Sequence, residues 1–207
     1  MSATTQELIR QLAEPAKRAQ ARLALQRRGA SVLDDLLASL EPPPAPDMHK
    51  SVLRLLLALA DPRSLDAFRK GLLSDDEEIR AISAEGLYRL GAPDALEAAL
   101  ATIDDAPDLL HADVTPSIRT LTAFGLTALP SVLSLLDANE PRTRQNAQKA
   151  LEQITYNLVT RRSNRRSSQA LEEWQELWEK NGNYRWDASP AQRAEVIDHW
   201  RHWLERL

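Results

Sequence analysis

The 207-residue sequence contains no cysteine, only six glycines, and few aromatic residues, at 5%. Without cysteine, neither disulfide bonds nor thiolate metal sites are available, which is typical of proteins from a reducing cytoplasm. The opening stretch, MSATTQELIR, lacks the basic and apolar segments of a signal peptide, and the longest apolar run, 55–60, is too short to span a membrane. We therefore expect a cytoplasmic protein without a membrane partner.

The sequence also lacks an excess of basic charge and the common motifs of catalysis. Its formal net charge is −4, whereas proteins that neutralise nucleic-acid phosphates are usually basic, which makes nucleic acid an unfavoured partner. There is no glycine-rich phosphate loop, no serine or cysteine nucleophile motif and no dinucleotide-binding signature. We predict no catalytic residue, no metal ligand and no cofactor.

Amphipathic helices dominate what is present, and the stretch 74–103 shows the basic unit. Ser74 and Glu77 form a capping-box pattern, and an apolar stripe then runs at helical spacing as far as Leu90. Gly91 ends this helix, and Pro93 begins a second one with its own stripe. Neither helix can bury its stripe alone, so the pair requires neighbours of the same kind.

The same unit recurs along the chain. The pattern Arg-x-x-small-x-x-small-Leu begins at Arg18, Arg80, Arg119 and Arg144, and a weaker copy begins at Val52. A second apolar helix follows each copy, at 31–40, 62–72, 93–103, 130–137 and 169–180. A short helix at 5–13 precedes the repeats and a tryptophan-rich segment at 181–207 follows them. We predict an all-α fold in which five helical hairpins stack as an α-solenoid between two capping segments.

These hairpins resemble HEAT-like repeats, of the short kind found in bacterial proteins related to phycobilin lyase subunits. The resemblance covers roughly residues 14–180 and implies one solenoid domain whose second helices line a concave face. It also implies that the motif arginines pair with acidic residues of adjacent repeats. HEAT-like repeats occur in scaffolds, lyases, hydroxylases and DNA glycosylases, so the fold alone does not choose a function. The His-Glu dipeptides of HEAT-repeat hydroxylases are missing here.

Aligning the second helices places acidic residues in one column, Asp34, Asp66, Glu97 and Glu172. The middle of the predicted groove has small side chains, and other charged residues flank it: Asp35, Lys70, Glu173 and Glu176. Such a groove suits a helix or an extended peptide with basic residues. The alternative interpretation is structural, because acidic residues near helix starts favour the helix macrodipole.

Three other features leave their interpretations open. The arginine-rich loop 161–166, with Arg161, Arg162, Arg165 and Arg166, could contact anions or be a solvated insertion. All five tryptophans follow residue 173, and they could form an aromatic pocket or seal one end of the repeats. His199 and His202 have the spacing of two metal ligands on a helix, but without a further recognisable ligand the pattern favours a solvated pair.

From these patterns we expect a non-catalytic scaffold or adaptor that binds another protein or peptide through the concave face. One alternative is an accessory subunit of the lyase type that acts on a tetrapyrrole or a partner protein. A second alternative is a DNA-binding or glycosylase-like HEAT protein, although the basic channel of such proteins is missing. The identity of the partner and the oligomeric state do not follow from the sequence.

Overall fold

The computed structural model describes residues 3–105, 114–162 and 167–207, and within these ranges the chain is helical, with no β-strand. The predicted all-α class is thereby confirmed. The chain divides after Ala98 into two compact units. The helices are α1 (Thr5–Gln11), α2 (Pro15–Arg28), α3 (Leu33–Ala38), α4 (Pro46–Leu59), α5 (Leu65–Gly71), α6 (Glu77–Arg89), α7 (Ala95–Ala101), α8 (Pro116–Phe124), α9 (Leu129–Leu135), α10 (Pro141–Arg162), α11 (Ser167–Lys180) and α12 (Pro190–Leu204).

Each predicted first and second helix corresponds to one of these helices, with corrections at the ends. Single 3₁₀ turns precede α3, α5 and α9. Helices α3 and α5 start at Leu33 and Leu65, later than the predicted starts at 31 and 62, whereas α9 starts at Leu129, one residue before its predicted start. The N-terminal helix ends at Gln11 rather than at residue 13. Asp76, not Ser74, caps α6, because its carboxylate accepts hydrogen bonds from the backbone N–H groups of Glu78 and Ile79.

The core of the first unit forms where α4 packs against α2 and α6, and where α5 packs against α6. Leu53, Leu56 and Phe68 are fully buried there. The α5–α6 contact depends on glycine, because a Cβ atom at Gly86 would lie 2.4 Å from ring carbons of Phe68. The small positions of the sequence motif therefore allow close approach between neighbouring helices, as predicted.

In the second unit, α10 is the central helix and packs against α8, α9 and α11, while α12 packs against α9. A buried polar cluster links α10 to the segment before α8: the Asn146 amide donates to the carbonyl oxygens of Ile103 and Asp105, at 2.6 and 3.1 Å. The Asp105 carboxylate accepts from the Ser117 N–H at 3.1 Å. Burial raises the pKa of Asp105 despite these hydrogen bonds.

Most of the predicted apolar stripe residues are buried or half-buried, but two leucines are not. Leu126 is 41% exposed and Leu171 is 43% exposed. Leu126 leaves its stripe because α8 ends at Phe124 and the chain turns at Gly125, whose φ is +62°. Leu171 lies one turn inside α11. Its exposure contradicts the prediction that Leu171 shares a buried stripe with Trp174 and Trp178.

One stretch of the described chain, Pro116–Leu135, is long and apolar enough to be a candidate membrane span. It is weak evidence for a span, because the buried helices of a water-soluble core pass the same test. The stretch comprises α8, a 3₁₀ turn and α9. Ile118, Leu121 and Leu133 within it are buried inside the second unit.

An arginine at the fourth residue of five helices binds the backbone that precedes the helix. The carbonyl acceptors lie five or six residues before each arginine, at 2.7–3.0 Å. The pairs are Arg18 to Leu12, Arg80 to Ser74 and Asp75, Arg119 to Val114, Arg144 to Ala138 and Asn139, and Arg193 to Ala188. We call these residues the motif arginines.

Each of the five motif arginines thus binds a carbonyl oxygen, whereas the HEAT resemblance implies acidic partners in adjacent repeats. Arg18 does contact an acidic residue of the next hairpin, Asp47, at 2.9 Å, and Arg193 contacts Asp137 at 3.1 Å. The carbonyl contacts explain the spacing in the sequence, because a guanidinium at the fourth helical position can supply donors to backbone acceptors just before the helix.

Candidate binding groove

A groove of about 500 Å³ lies in the first unit, and we call it the first-unit groove. Its walls are formed by the C-terminal end of α3, the connection between α3 and α4, and one side of α5. It is lined by Leu37, Leu40, Glu41, Pro43, His49, Arg63, Asp66, Ala67 and Lys70. Two of the predicted binding residues, Asp66 and Lys70, therefore lie in a concave surface, together with apolar side chains suitable for a ligand.

The proline-rich connection shapes this groove. The chain leaves α3 after Ala38 and re-enters helix at Pro46. Because proline cannot donate a backbone hydrogen bond and resists helix, the run 42–44 keeps the connection extended. Leu40 and Pro43 thereby join the groove.

The predicted acidic column is interleaved with basic side chains from α5 and the turn before it. Arg63 bonds Asp34 at 2.9 Å and Asp61 at 3.2 Å. Arg69 bonds Asp94 at 3.2 Å and lies 3.8 Å from Asp66. Asp34 and Asp66 nevertheless remain 86% and 90% exposed. At Asp34 and Asp66 the column therefore consists of solvated ion pairs rather than isolated carboxylates.

These ion pairs shift the acid–base equilibria of their members. Hydrogen bonds from Arg63 lower the pKa of Asp61, and hydrogen bonding from Arg69 lowers the pKa of Asp94. Lys70 pairs with Glu41 across the mouth of the first-unit groove, and this hydrogen bond raises the pKa of Lys70. All of these groups are charged at neutral pH, so the rim carries both signs.

His49 is the ionisable group deepest in the first-unit groove. Burial lowers its pKa below the usual value of 6.5, and the negative charge of Asp76 only partly opposes this effect. His49 is therefore neutral at pH 7. A neutral imidazole makes this end of the groove less positive than its arginine and lysine rim.

The remaining predicted residues lie elsewhere. Asp35 is half-buried on α3, and Glu97 is exposed on α7. Glu172 is exposed on α11 in the second unit. Glu173 and Glu176, also on α11, line a second groove of about 440 Å³, here named the second-unit groove, with Leu158, Val159, Leu177, Lys180, Asn181, Trp203 and Arg206.

The first two residues of the predicted arginine-rich loop 161–166 lie in a helix. Helix α10 continues to Arg162, which corrects the predicted boundary at Arg161, and α11 begins at Ser167. Arg161 is exposed on the last turn of α10. Arg165 and Arg166 lie outside the described residues, as does the segment 106–113 of the acidic connection that precedes α8.

Four of the tryptophans form a continuous series of ring contacts with Tyr156, in which the Trp174–Trp178 contact is tilted and the other three are edge-to-face. The ring centroids of successive members lie 5.2–6.0 Å apart in the order Tyr156, Trp174, Trp178, Trp200, Trp203. The Thr155 hydroxyl accepts hydrogen bonds from the indoles of Trp174 and Trp178, at 3.0 and 3.4 Å. Since Trp178 and Trp200 are buried, the series joins α10, α11 and α12 as a core.

Within the described ranges, no group of three or more histidine or acidic side chains is arranged to hold a metal ion. His199 and His202 are exposed on α12, and His202 Nδ1 lies 2.7 Å from the carbonyl oxygen of Asp198.

Comparison of the chain with protein-family models and with curated proteins found no match in either set.

Proposed function

We propose that this chain is a HEAT-like helical-repeat protein that binds a segment of another protein in the first-unit groove. The repeated arrangement of the motif arginines supports the repeat assignment, because five helices use one residue position for one interaction. Longer first helices alternate with shorter second helices along the chain, which also supports stacked hairpins of the α-solenoid type. In this proposal the chain acts as a cytoplasmic scaffold or adaptor.

The first-unit groove carries the functional part of the proposal. Its floor is apolar, with Leu37, Leu40 and Ala67, and its rim holds charged side chains on flexible stems. Exposed ion pairs contribute only about 0–1 kcal/mol each. A ligand can therefore replace these ion pairs with its own at a small free-energy cost. Burial of its apolar residue against the floor of the groove then stabilises the complex.

The expected ligand is a short helical or extended segment with an apolar anchor and at least one basic residue. The anchor would occupy the floor near Ala67, and the basic residue would contact Asp66 or Asp34, both of which are strongly exposed. Charge contacts at such a rim contribute mainly to the association rate and to specificity.

A peptide-binding experiment tests this proposal. A displayed library of random twelve-residue peptides is selected on the wild-type chain, and enriched peptides are measured by fluorescence anisotropy against variants. Ala67→Trp fills the floor and should weaken binding at least tenfold. Asp34→Lys with Asp66→Lys should weaken binding of basic peptides and make it less sensitive to salt.

The matched control is Glu14→Lys with Asp75→Lys, which makes the same charge change at two exposed residues near helix starts outside the groove. This control should bind like the wild type. If the enriched peptides bind the Ala67→Trp variant as tightly as the wild type, the first-unit groove is not the binding site. Retention on heparin at physiological salt would instead favour nucleic acid, and copurifying visible absorbance would favour a tetrapyrrole.

A further inference from the structure

The first-unit groove lies where the repeated arginine position carries a different residue. Helix α4 begins at Pro46, just as α2, α8, α10 and α12 begin at prolines. The fourth residue of α4 is His49, whereas the five helices with motif arginines have Arg18, Arg80, Arg119, Arg144 and Arg193 there. His49 therefore occupies the position that elsewhere binds the preceding backbone.

The equivalent acceptors in this repeat are the carbonyl groups of Pro43 and Pro44, six and five residues before His49. In the described part of the chain, neither carbonyl accepts a hydrogen bond from a protein donor. The imidazole of His49 is shorter than a guanidinium and is neutral at pH 7, since burial lowers its pKa. Both acceptors thus lack the donor that a motif arginine supplies elsewhere, and Pro43 is one of the residues that line the first-unit groove.

The groove has the other features that an arginine side chain needs. Pro43 and His49 lie in its wall beside the carboxylate of Glu41, and Leu37 and Leu40 provide apolar surface for the aliphatic stem. Two cations also line it. Lys70 pairs with Glu41, and Arg63 pairs with Asp34 and Asp61. The carboxylates of Glu41, Asp34 and Asp61 thus largely balance the positive charge of these two cations. A bound guanidinium would share these carboxylates.

We propose that the first-unit groove recognises an arginine of the bound segment, whose guanidinium takes the role that the motif arginines play in the other repeats. The planar guanidinium donates to the carbonyl oxygens of Pro43 and Pro44 and to Glu41, while its stem lies on Leu37 and Leu40. Arginine is preferred to lysine because its five donors form a fixed fork, whereas an ammonium is a compact, strongly hydrated charge. This inference rests on the proposed function.

The test uses two small probes, N-acetyl-arginine amide and N-acetyl-lysine amide, titrated into the ¹⁵N- and ¹³C-labelled full chain. The readouts are the His49 ring resonance and the backbone amides of Glu41, Ala45 and 47–49. The wild type should bind the arginine probe at least tenfold more tightly than the lysine probe. Equal affinities, or shifts confined to residues outside the groove, would overturn the inference.

The key variant is His49→Arg, which supplies the guanidinium from the chain itself. It should remove the preference for the arginine probe and raise Tm by about 2–4 °C, as expected for one added carbonyl interaction in a chain of this size. His49→Gln is the matched control, since its side chain is too short to bridge both carbonyls, and it should retain the preference. An undiminished arginine preference in His49→Arg would contradict the proposal.

The two proposals fail in different ways. If selected peptides lose affinity for Ala67→Trp but tolerate replacement of their arginines by lysine, the groove binds peptides without this arginine recognition. If peptides are unaffected by Ala67→Trp while the arginine probe still shifts His49, the arginine site is real and the peptide-binding function is wrong.

Discussion

Replacement of Arg144 by alanine should destabilise the second unit by about 2–4 kcal/mol. The guanidinium donates to three carbonyl oxygens, those of Ala138 and Asn139 at 2.7 Å and that of Trp186 at 3.0 Å. A hydrogen bond from a charged donor is worth about 1.5–3 kcal/mol. Because Arg144 is only half-buried, we take about 1 kcal/mol for each of the three bonds, below that range and typical of an ordinary hydrogen bond.

Urea unfolding followed by tryptophan fluorescence measures this effect in the relevant unit. All five tryptophans lie after residue 173, inside the second unit, so their emission reports that unit alone. With an m-value of about 2 kcal/mol per molar urea, the midpoint should fall by about 1–2 M. Circular dichroism at 222 nm, which follows helices of both units, gives a parallel transition for comparison.

Two variants separate the fork geometry of Arg144 from its charge. Arg144→Lys keeps the charge but has a single nitrogen, so it should recover less than half of the loss. Arg185→Ala removes an equally charged residue of the same unit, whose side chain is exposed and pairs with Asp187, and it should cost less than about 0.5 kcal/mol. A loss of that small size for Arg144→Ala, or full recovery by lysine, would refute the role assigned to the motif arginines.

Two further predictions concern buried contacts. Gly86→Ala should destabilise the first unit by about 1–3 kcal/mol, because the new methyl group meets the Phe68 ring, despite a helix-propensity gain of about 1 kcal/mol. Urea unfolding followed by circular dichroism tests it, and Phe68→Leu should relieve the loss; unchanged stability in Gly86→Ala would contradict the close contact. Burial raises the pKa of Tyr184 from 10.0 to about 12, so the unfolded chain ionises first and about 2 kcal/mol of the free energy of unfolding is lost between pH 10 and pH 12. Tyr184→Phe should flatten the fall in unfolding free energy over this range; an identical fall would show that Tyr184 is not its source.

The helices were predictable because their signals are local. Apolar side chains three and four residues apart identify a helical face, and prolines at Pro15, Pro46 and Pro116 mark helix starts. The errors fell at helix ends, where several polar residues compete as caps. Asp76 rather than Ser74 caps α6 because the chain bends before residue 76, which depends on where α5 ends.

The candidate site was only partly predictable. Asp66 and Lys70 were found from the register of the second helices, but their ion-pair partners, Arg69 and Glu41, were not. The pairing of Asp34 with Arg63 joins residues 29 positions apart in the sequence, and such a contact depends on how two hairpins pack. The groove residues Pro43 and His49 were missed for the same reason, since neither belongs to a recurring pattern of the second helices.

The sequence by itself determined the all-α class, the positions of the helices and the recurrence of an arginine at a fixed place in the first helices. These follow from side-chain spacing and from the preferences of proline and glycine within a few residues. Only the tertiary structure decided what the arginines bind, which carboxylates are paired and where a groove opens. Those properties depend on distances between side chains that are remote in sequence, and small shifts in helix ends and packing set such distances.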